Sequence, residues 1–179
     1  MEVTHPRCRY NPERITIKYQ YRITKYNPKH RDKEQGHYLK DEWTSVSDIG
    51  EKFDDIILTE DEYYAIETAY VESIIIFMNE NNINELQLME YENNQNYKTD
   101  KLLIENENFY NKEQVKLLSR LILREEIWGK LVFDKQVFVH FGYDYYMYIG
   151  LEKKPNQALE TVQELGLFTE KFESPYDVL

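Results

Sequence analysis

The sequence predicts an α+β fold: one domain in which a mainly antiparallel sheet carries about three helices. Three observations predict it. A strand-like alternation lies near the start of the chain, two amphipathic segments with helix-start signals follow, and three closely spaced apolar strands form a meander near the C-terminus. A length of 179 residues is typical of a single domain over 1–179, with residues 1–13 expected to be flexible, and an apolar fraction of 41% is enough for a core.

The first strand is predicted over residues 14–26, where apolar and polar residues alternate with a period of two. Lys18 and Arg22 belong to its solvent-facing side. The positions expected on its buried side are Ile15, Ile17, Tyr19, Tyr21 and Ile23. Residues 27–42 are polar and lack a period, which indicates a long basic loop, and the composition of residues 43–50 favours a turn or a short helix start.

Two helices carry clear start signals. Thr59 with Glu62 three residues later forms a capping box, and the helix that follows is expected to end near residues 79–82. Its apolar stripe consists of Tyr63, Ile66, Tyr70, Ile74 and Phe77. Asn111 with Gln114 starts a second helix that reaches about residue 126. Between the helices, residues 86–91 suggest a short strand, and 102–104 fit either a strand or a packed loop.

The C-terminal third predicts a three-strand meander over residues 131–133, 137–141 and 145–151, covered by helices. In its last strand Tyr145, Met147, Ile149 and Leu151 should face one way, and Tyr146 and Tyr148 the other. Pro155 should open a short helix that Gly166 ends. The inward residues of that helix are expected to be Ala158, Leu159, Val162 and Leu165, with the apolar tail beyond docked on the body.

The charges are distributed unevenly along the chain. Residues 1–40 carry a net +6, residues 41–110 a net −15 and residues 111–179 a net −2, which together give the net charge of −11. Such a field repels nucleic acid and anionic membrane surfaces and accelerates the encounter with a basic partner. A solvated surface that keeps the protein dispersed would have the same composition.

No motif for a cofactor, a phosphate or zinc occurs in the sequence, so no cofactor and no metal are expected. The apolar run at residues 73–78 is too short to span a bilayer, no secretory signal is visible, and the single cysteine, Cys8, cannot form an intrachain disulfide. These features predict a cytoplasmic protein that does not act on membranes. Cys8 is flanked by Arg7 and Arg9, which would favour a thiolate, although a plain thiol is the simpler interpretation.

The histidines are the main candidates for catalytic residues in the sequence. His30 and His37 lie in the basic loop and could act as acid and base on a phosphodiester, although a mobile loop also tolerates histidine. His140 lies within a predicted strand, where a hydrogen-bonded structural role is more typical. The acidic cluster around Trp43 lacks the order of ligands found in an EF-hand loop. The protein is therefore expected not to be an enzyme.

The candidate partner-binding residues combine carboxylates with aromatic anchors. One group surrounds Trp43, which could equally be a core residue among solvated acids. The other lies in the stretch HFGYDYYMYIGL, residues 140–151, in which four of twelve residues are tyrosine. That stretch is mostly core, but its turn could present a carboxylate beside an exposed ring to Arg or Lys. The residues are Asp41, Glu42, Trp43, Asp48, Glu51, Asp54, Asp55, Tyr143 and Asp144.

In its acidic segment at residues 41–107 and its tyrosine-rich stretch, the chain resembles the immunity proteins of bacterial toxin–immunity systems. The likeness is one of general character and assigns no individual residue. It implies a stoichiometric inhibitor that binds a cognate toxin domain, often a basic nuclease, and covers or distorts its active site. Acidic side chains would then take the place of nucleic-acid phosphates. The alternatives are a metal-independent nuclease that uses His30 and His37, and a structural or regulatory module that self-associates through tyrosine-rich faces.

Overall fold

The computed structural model describes residues 17–93, 95–99 and 102–176, and this part of the chain has the predicted α+β architecture. In chain order the elements are β1 (Tyr19–Thr24), β2 (Lys52–Phe53), β3 (Ile56–Ile57), α1 (Glu60–Glu80), β4 (Glu85–Glu92), β5 (Phe109–Asn111), α2 (Lys112–Leu123), β6 (Trp128–Phe133), β7 (Val137–Phe141), β8 (Met147–Leu151), α3 (Ala158–Glu164) and β9 (Phe168–Lys171). Seven strands form one antiparallel sheet in the order β5-β4-β6-β7-β8-β1-β9, and β2 and β3 form a separate hairpin.

Both long helices begin where their capping boxes predict. Thr59 Oγ1 accepts from the backbone N–H of Glu62 at 3.2 Å, and the backbone N–H of Thr59 donates to Glu62 Oε2 at 3.0 Å. Asn111 and Gln114 make the same reciprocal pair at the start of α2. Each pair satisfies two backbone donors that the first helical turn leaves free, which stabilises the helix by about 1 kcal/mol.

The main core lies between the three described helices and one face of the sheet. Alternate residues of the meander point into it, as the period of two predicts, so that Met147, Ile149 and Leu151 are buried there. Helix α1 contributes Tyr70 and Ile74 from the predicted stripe. Helices α2 and α3 both contact α1, which therefore lies at the centre of the helical layer.

The opposite face of the sheet carries a second, smaller apolar cluster of Val132, Phe138 and Tyr148. The helices were expected to cover the meander, but the described helices all pack on the other face. The second face is instead closed by Ile17 and by Tyr176 after β9. Ile17 was also expected on the same face as Ile23. It lies on the opposite face because it precedes β1 and does not follow that strand's alternation.

A buried carboxylate joins α1 to the end of α2. Glu67 is only 2% exposed, and Arg124 contacts it with two parallel hydrogen bonds, from Nε to Oε1 at 2.5 Å and from Nη2 to Oε2 at 2.7 Å. The Tyr63 hydroxyl donates to the same carboxylate at 3.3 Å. Because a buried charge is tolerated only when it is paired and hydrogen-bonded, these contacts fix the relative position of the two helices.

Several short elements differ from the sequence expectation. Helix α3 buries Ala158 and Val162 but leaves Leu165 38% exposed, because the left-handed Gly166 turns the chain so that Leu167 enters the core instead. Residues 102–105 form a loop, and the strands β5 and β9 were not anticipated. Both strands are short and lie at the two edges of the sheet, so their local sequence carries little strand signal.

Candidate partner-binding surface

The loop before the β2–β3 hairpin is folded around the side chain of Asp48. Asp48 Oδ2 accepts from the backbone N–H groups of Thr44 at 2.7 Å and Ser45 at 3.0 Å. Ser45 caps the short 3₁₀ turn Val46–Asp48 in return. Asp48 therefore holds the loop together, and its carboxylate is occupied by these backbone donors.

Trp43 is a packed residue of this loop, only 6% exposed. Its ring lies 5.4 Å from that of Tyr63 and 4.9 Å from that of Tyr145, between centroids. Trp43 therefore anchors the loop to the core, as the second of the two interpretations of its sequence predicts. Its packing holds the neighbouring residues Asp41 and Glu42 at the surface.

Lys25 lies under the same loop. Its ammonium is 3.9 Å from the ring centroid of Trp43 and 4.3 Å from that of Tyr26, and it pairs with Glu42 Oε1 at 3.2 Å. Burial lowers the pKa of Lys25 to about 8, against the opposing effect of Glu42. One of the predicted partner-binding carboxylates is thus already engaged within the molecule.

The β2–β3 hairpin presents acidic and apolar side chains together. Asp54 and Asp55 form its two-residue turn with φ values of 44° and 70°, the left-handed conformation that such a turn requires. The next two residues, Ile56 and Ile57, are 65% and 58% exposed. Asp55 pairs with Lys52 at 2.6 Å, but both side chains are largely exposed, so this pair contributes little to stability.

A cavity of about 280 Å³ opens between the hairpin, the Trp43 loop and the start of α1. Its walls combine apolar side chains with carboxylates from all three segments. They are formed by Lys40, Asp41, Glu42, Trp43, Phe53, Asp54, Ile56, Leu58, Glu62 and Ile66. Four of the predicted partner-binding residues, Asp41, Glu42, Trp43 and Asp54, therefore meet at one place.

The turn between β7 and β8 is fixed to the Trp43 loop by Tyr26. The Tyr26 hydroxyl lies 2.7 Å from the carbonyl oxygen of Asp144 and 3.3 Å from that of Trp43. Asp144 and Tyr145 both have positive φ, 56° and 60°. The buried Tyr145 hydroxyl donates to that of Tyr63 at 2.5 Å, so packing and hydrogen bonds hold this strained turn. A second cavity of about 390 Å³, which Glu42 and Asp144 both line, lies beside it.

Other predicted partner-binding residues do not line the cavity formed by Asp41, Glu42, Trp43 and Asp54. The Glu51 carbonyl accepts from Leu58 N–H at 2.9 Å, and the Glu51 side chain is exposed. Tyr143 is 85% exposed and lines a different cavity, with Trp128 and Tyr176. The exposed residues Ile56 and Ile57 were not predicted. Their signal was the doublet Asp-Asp between Phe53 and Ile56.

The three described histidines have different surroundings. His30 packs edge-on against Tyr38 with 6.4 Å between centroids, and His37 lines the 390 Å³ cavity. His140 is buried against Phe138. Within the described ranges no three His, Cys, Asp or Glu side chains are placed to hold a metal ion. Cys8 and residues 1–13 lie outside the described residues.

None of the described helices is both long enough and apolar enough to cross a membrane. No family model, curated protein or solved structure matches the chain.

Proposed function

We propose that the protein is a non-enzymatic binding protein of the immunity type, which neutralises a cognate basic toxin domain, of the nuclease type, by direct contact. The observation that supports this proposal is that the exposed Ile56 lines a cavity together with Asp41 and Asp54, while the exposed Asp55 and Ile57 belong to the same short hairpin. We call these five residues the acidic hairpin surface.

The acidic hairpin surface combines the two components of a tight interface. Exposed isoleucines supply apolar area that a partner can remove from water, and a ring of charge around such a centre selects the partner and accelerates association. The net charge of −15 over residues 41–110 extends the attraction beyond direct contact. A nuclease domain binds phosphates with Lys and Arg, so its substrate-binding surface has the complementary charge.

The surface is also held in place before any partner arrives. Asp48 and Trp43 hold the loop, backbone hydrogen bonds of Leu58 with Gly50 and Glu51 close the base of the hairpin, and the Thr59 cap holds the start of α1. A surface that is already ordered loses less conformational entropy on binding. Its affinity for a basic partner would therefore depend mainly on the apolar pair and on the charges.

The experiment begins by capturing the partner from a lysate of the source cells at low salt, with elution by a salt gradient and identification by mass spectrometry. The expected partner is a single basic protein in stoichiometric amount. Expressed alone it should be toxic, and co-expression of this chain should restore growth. The Kd of the purified pair is then measured for two variants, Asp41→Asn/Asp54→Asn/Asp55→Asn and Ile56→Ser/Ile57→Ser. Each should weaken binding by about tenfold or more.

Matched controls separate the surface from general effects of charge and apolarity. Asp134→Asn/Glu160→Gln/Glu164→Gln removes the same three charges elsewhere, and Leu103→Ser removes another apolar side chain, one that is 75% exposed. Asparagine accepts the left-handed conformation of residues 54, 55 and 134, so these variants should fold. If the test and control variants weaken binding of the partner equally, the acidic hairpin surface is not the binding site. A partner that is not toxic would contradict the immunity role, and no specific partner would favour the nuclease or self-association alternatives.

A further inference from the structure

A separate cavity, which we call the aromatic pocket, lies between the end of α2, the start of β6 and the turn after β7. It has a volume of about 280 Å³. Four of its nine described lining residues are aromatic: Trp128, Phe141, Tyr143 and Tyr176. Glu125, which is exposed, is the one charged residue among those nine. The pocket is thus a concave aromatic surface with one negative group at its edge.

Glu125 occupies a backbone position that usually belongs to glycine. Helix α2 ends in a Schellman motif: the N–H of Glu125 donates to the carbonyl of Ile122 at 3.0 Å, and the N–H of Glu126 to that of Leu121 at 3.0 Å. The central residue of this motif adopts the left-handed conformation, and Glu125 has φ 61°. A glutamate is disfavoured there relative to glycine. What its side chain adds is a carboxylate at the pocket.

The opposite wall of the pocket is closely fitted. The Tyr176 hydroxyl is hydrogen-bonded by the backbone of Tyr143, and burial raises the pKa of Tyr176. A Cβ atom on Gly142 would lie 3.2 Å from that hydroxyl. The ring of Tyr176 therefore approaches the turn closely because residue 142 has no side chain. The ring also packs edge-on against His140, with 5.9 Å between centroids.

We propose that the aromatic pocket binds an alkylammonium cation. The faces of aromatic rings carry partial negative charge and attract organic cations, and sites of several rings with a carboxylate recognise methylated ammonium groups. The pocket is at the lower limit of the size of small-molecule sites, which fits a group as small as a methylated ammonium. This site is distinct from the acidic hairpin surface and does not depend on the function proposed for it.

The test uses choline, with its uncharged carbon isostere 3,3-dimethylbutan-1-ol as the matched ligand. The chain contains two tryptophans, so a ¹⁵N-labelled sample gives two indole N–H signals, and Trp128→Phe assigns them. Choline should shift the signal of Trp128 and leave that of Trp43 unchanged. The isostere should bind about tenfold more weakly, because only the charge differs. Equal binding of the two, or no shift of the Trp128 signal, would overturn the proposal.

Variants at Glu125 separate binding from folding. Glu125→Gly should lower choline affinity about fivefold or more while unfolding at the same or a higher urea concentration, since glycine suits the left-handed position. Glu107→Gly is the matched control, because Glu107 is also exposed and has the same φ of 61° outside the pocket. It should leave choline affinity unchanged. Unaltered affinity in Glu125→Gly would refute the role of the carboxylate.

The source of the cation is identified by a second ligand pair. Nα-acetyl-trimethyllysine amide presents the same ammonium group on a peptide unit. Tighter binding of this compound than of choline would indicate a methylated protein segment, and tighter binding of choline would indicate a free metabolite. Either result supports the proposed pocket. If neither compound binds, the proposal is refuted.

Discussion

His140 is the most deeply buried ionisable group on the second face of the sheet, among the residues described. Its ring stacks on Phe138 with 4.1 Å between centroids, and Nδ1 lies 2.8 Å from Ser174 Oγ. Nε2 has no hydrogen-bond partner in the described part of the chain. A proton on this ring would therefore be poorly solvated, and Lys130 nearby adds repulsion. Burial and that repulsion lower the pKa of His140 to about 3.

The depressed pKa predicts sensitivity to acid. Between pH 6.5 and 3 the unfolded chain binds a proton on His140 that the folded protein does not bind, so the free energy of unfolding falls as the pH falls. The loss from this residue should reach about 3 kcal/mol by pH 4.5. In His140→Gln that part of the pH dependence should disappear, as measured by urea unfolding between pH 7 and 4.5. His37→Gln, at an exposed site, should retain it, and parallel pH profiles of His140→Gln and the unsubstituted protein would contradict the assignment.

At the scale of single residues, the sequence predicted which face of a strand a side chain lies on better than it predicted which distant residue that side chain contacts. The alternation in β8 correctly separated Met147 and Ile149 from Tyr148. It could not reveal that Trp43 packs on Tyr145, because that contact joins segments 102 residues apart and leaves no local pattern. The candidate surface was accordingly predicted as two separate groups of residues, and Tyr26, whose hydroxyl connects the two loops, was not recognised.

Helix α3 begins without a side-chain cap of its own, and the last residue of α1 replaces it. The carboxylate of Glu80 accepts from the backbone N–H groups of Asn156, Gln157 and Ala158 at 2.6, 2.9 and 2.7 Å. A negative group at this position satisfies otherwise free donors and opposes the positive end of the helix dipole. It also ties the end of α1 to the start of α3.

Removal of this contact should destabilise the protein measurably. Glu80→Ala is expected to lower the free energy of unfolding by about 2 kcal/mol, and Glu80→Gln, which retains one acceptor, by about half of that. Chemical denaturation monitored by circular dichroism would measure both. Asn79→Ala, at the exposed neighbouring position, should change it by less than about 0.5 kcal/mol. Equal effects at positions 79 and 80 would refute the capping role.

Elements that depend on local rules were predictable, and those that depend on distant partners were not. Capping boxes gave the starts of α1 and α2 because the donor and acceptor lie three residues apart. Strand β5 has three residues and β9 has four, and each exists because a longer neighbouring strand offers it hydrogen bonds. The cap on α3 likewise comes from a residue 78 positions away from Ala158.

For the whole molecule, the net charge of −11 means that added salt should stabilise the folded protein but weaken its binding to a basic partner. Carboxylates repel one another in the folded state, so salt should raise the melting temperature, by about 3 °C between 0.02 and 0.5 M NaCl. The same salt should weaken the complex with a basic partner. The variant Asp41→Asn/Asp54→Asn/Asp55→Asn, with a net charge of −8, should show a smaller rise in thermal scans. A melting temperature that falls with salt would show that attractive pairs dominate instead.

The position of β1 within the sheet has a consequence for synthesis on the ribosome. β1 lies between β8 and β9, and Tyr21 pairs with Ile149, 128 positions later in the chain. At ordinary translation rates that interval lasts roughly 6 to 26 s. During this time a strand with an apolar face has neither of its neighbours, while β4 to β7 can already pair. The nascent chain therefore exposes an unpaired aromatic segment that a chaperone can hold, and the sheet closes only when the last quarter of the protein has emerged.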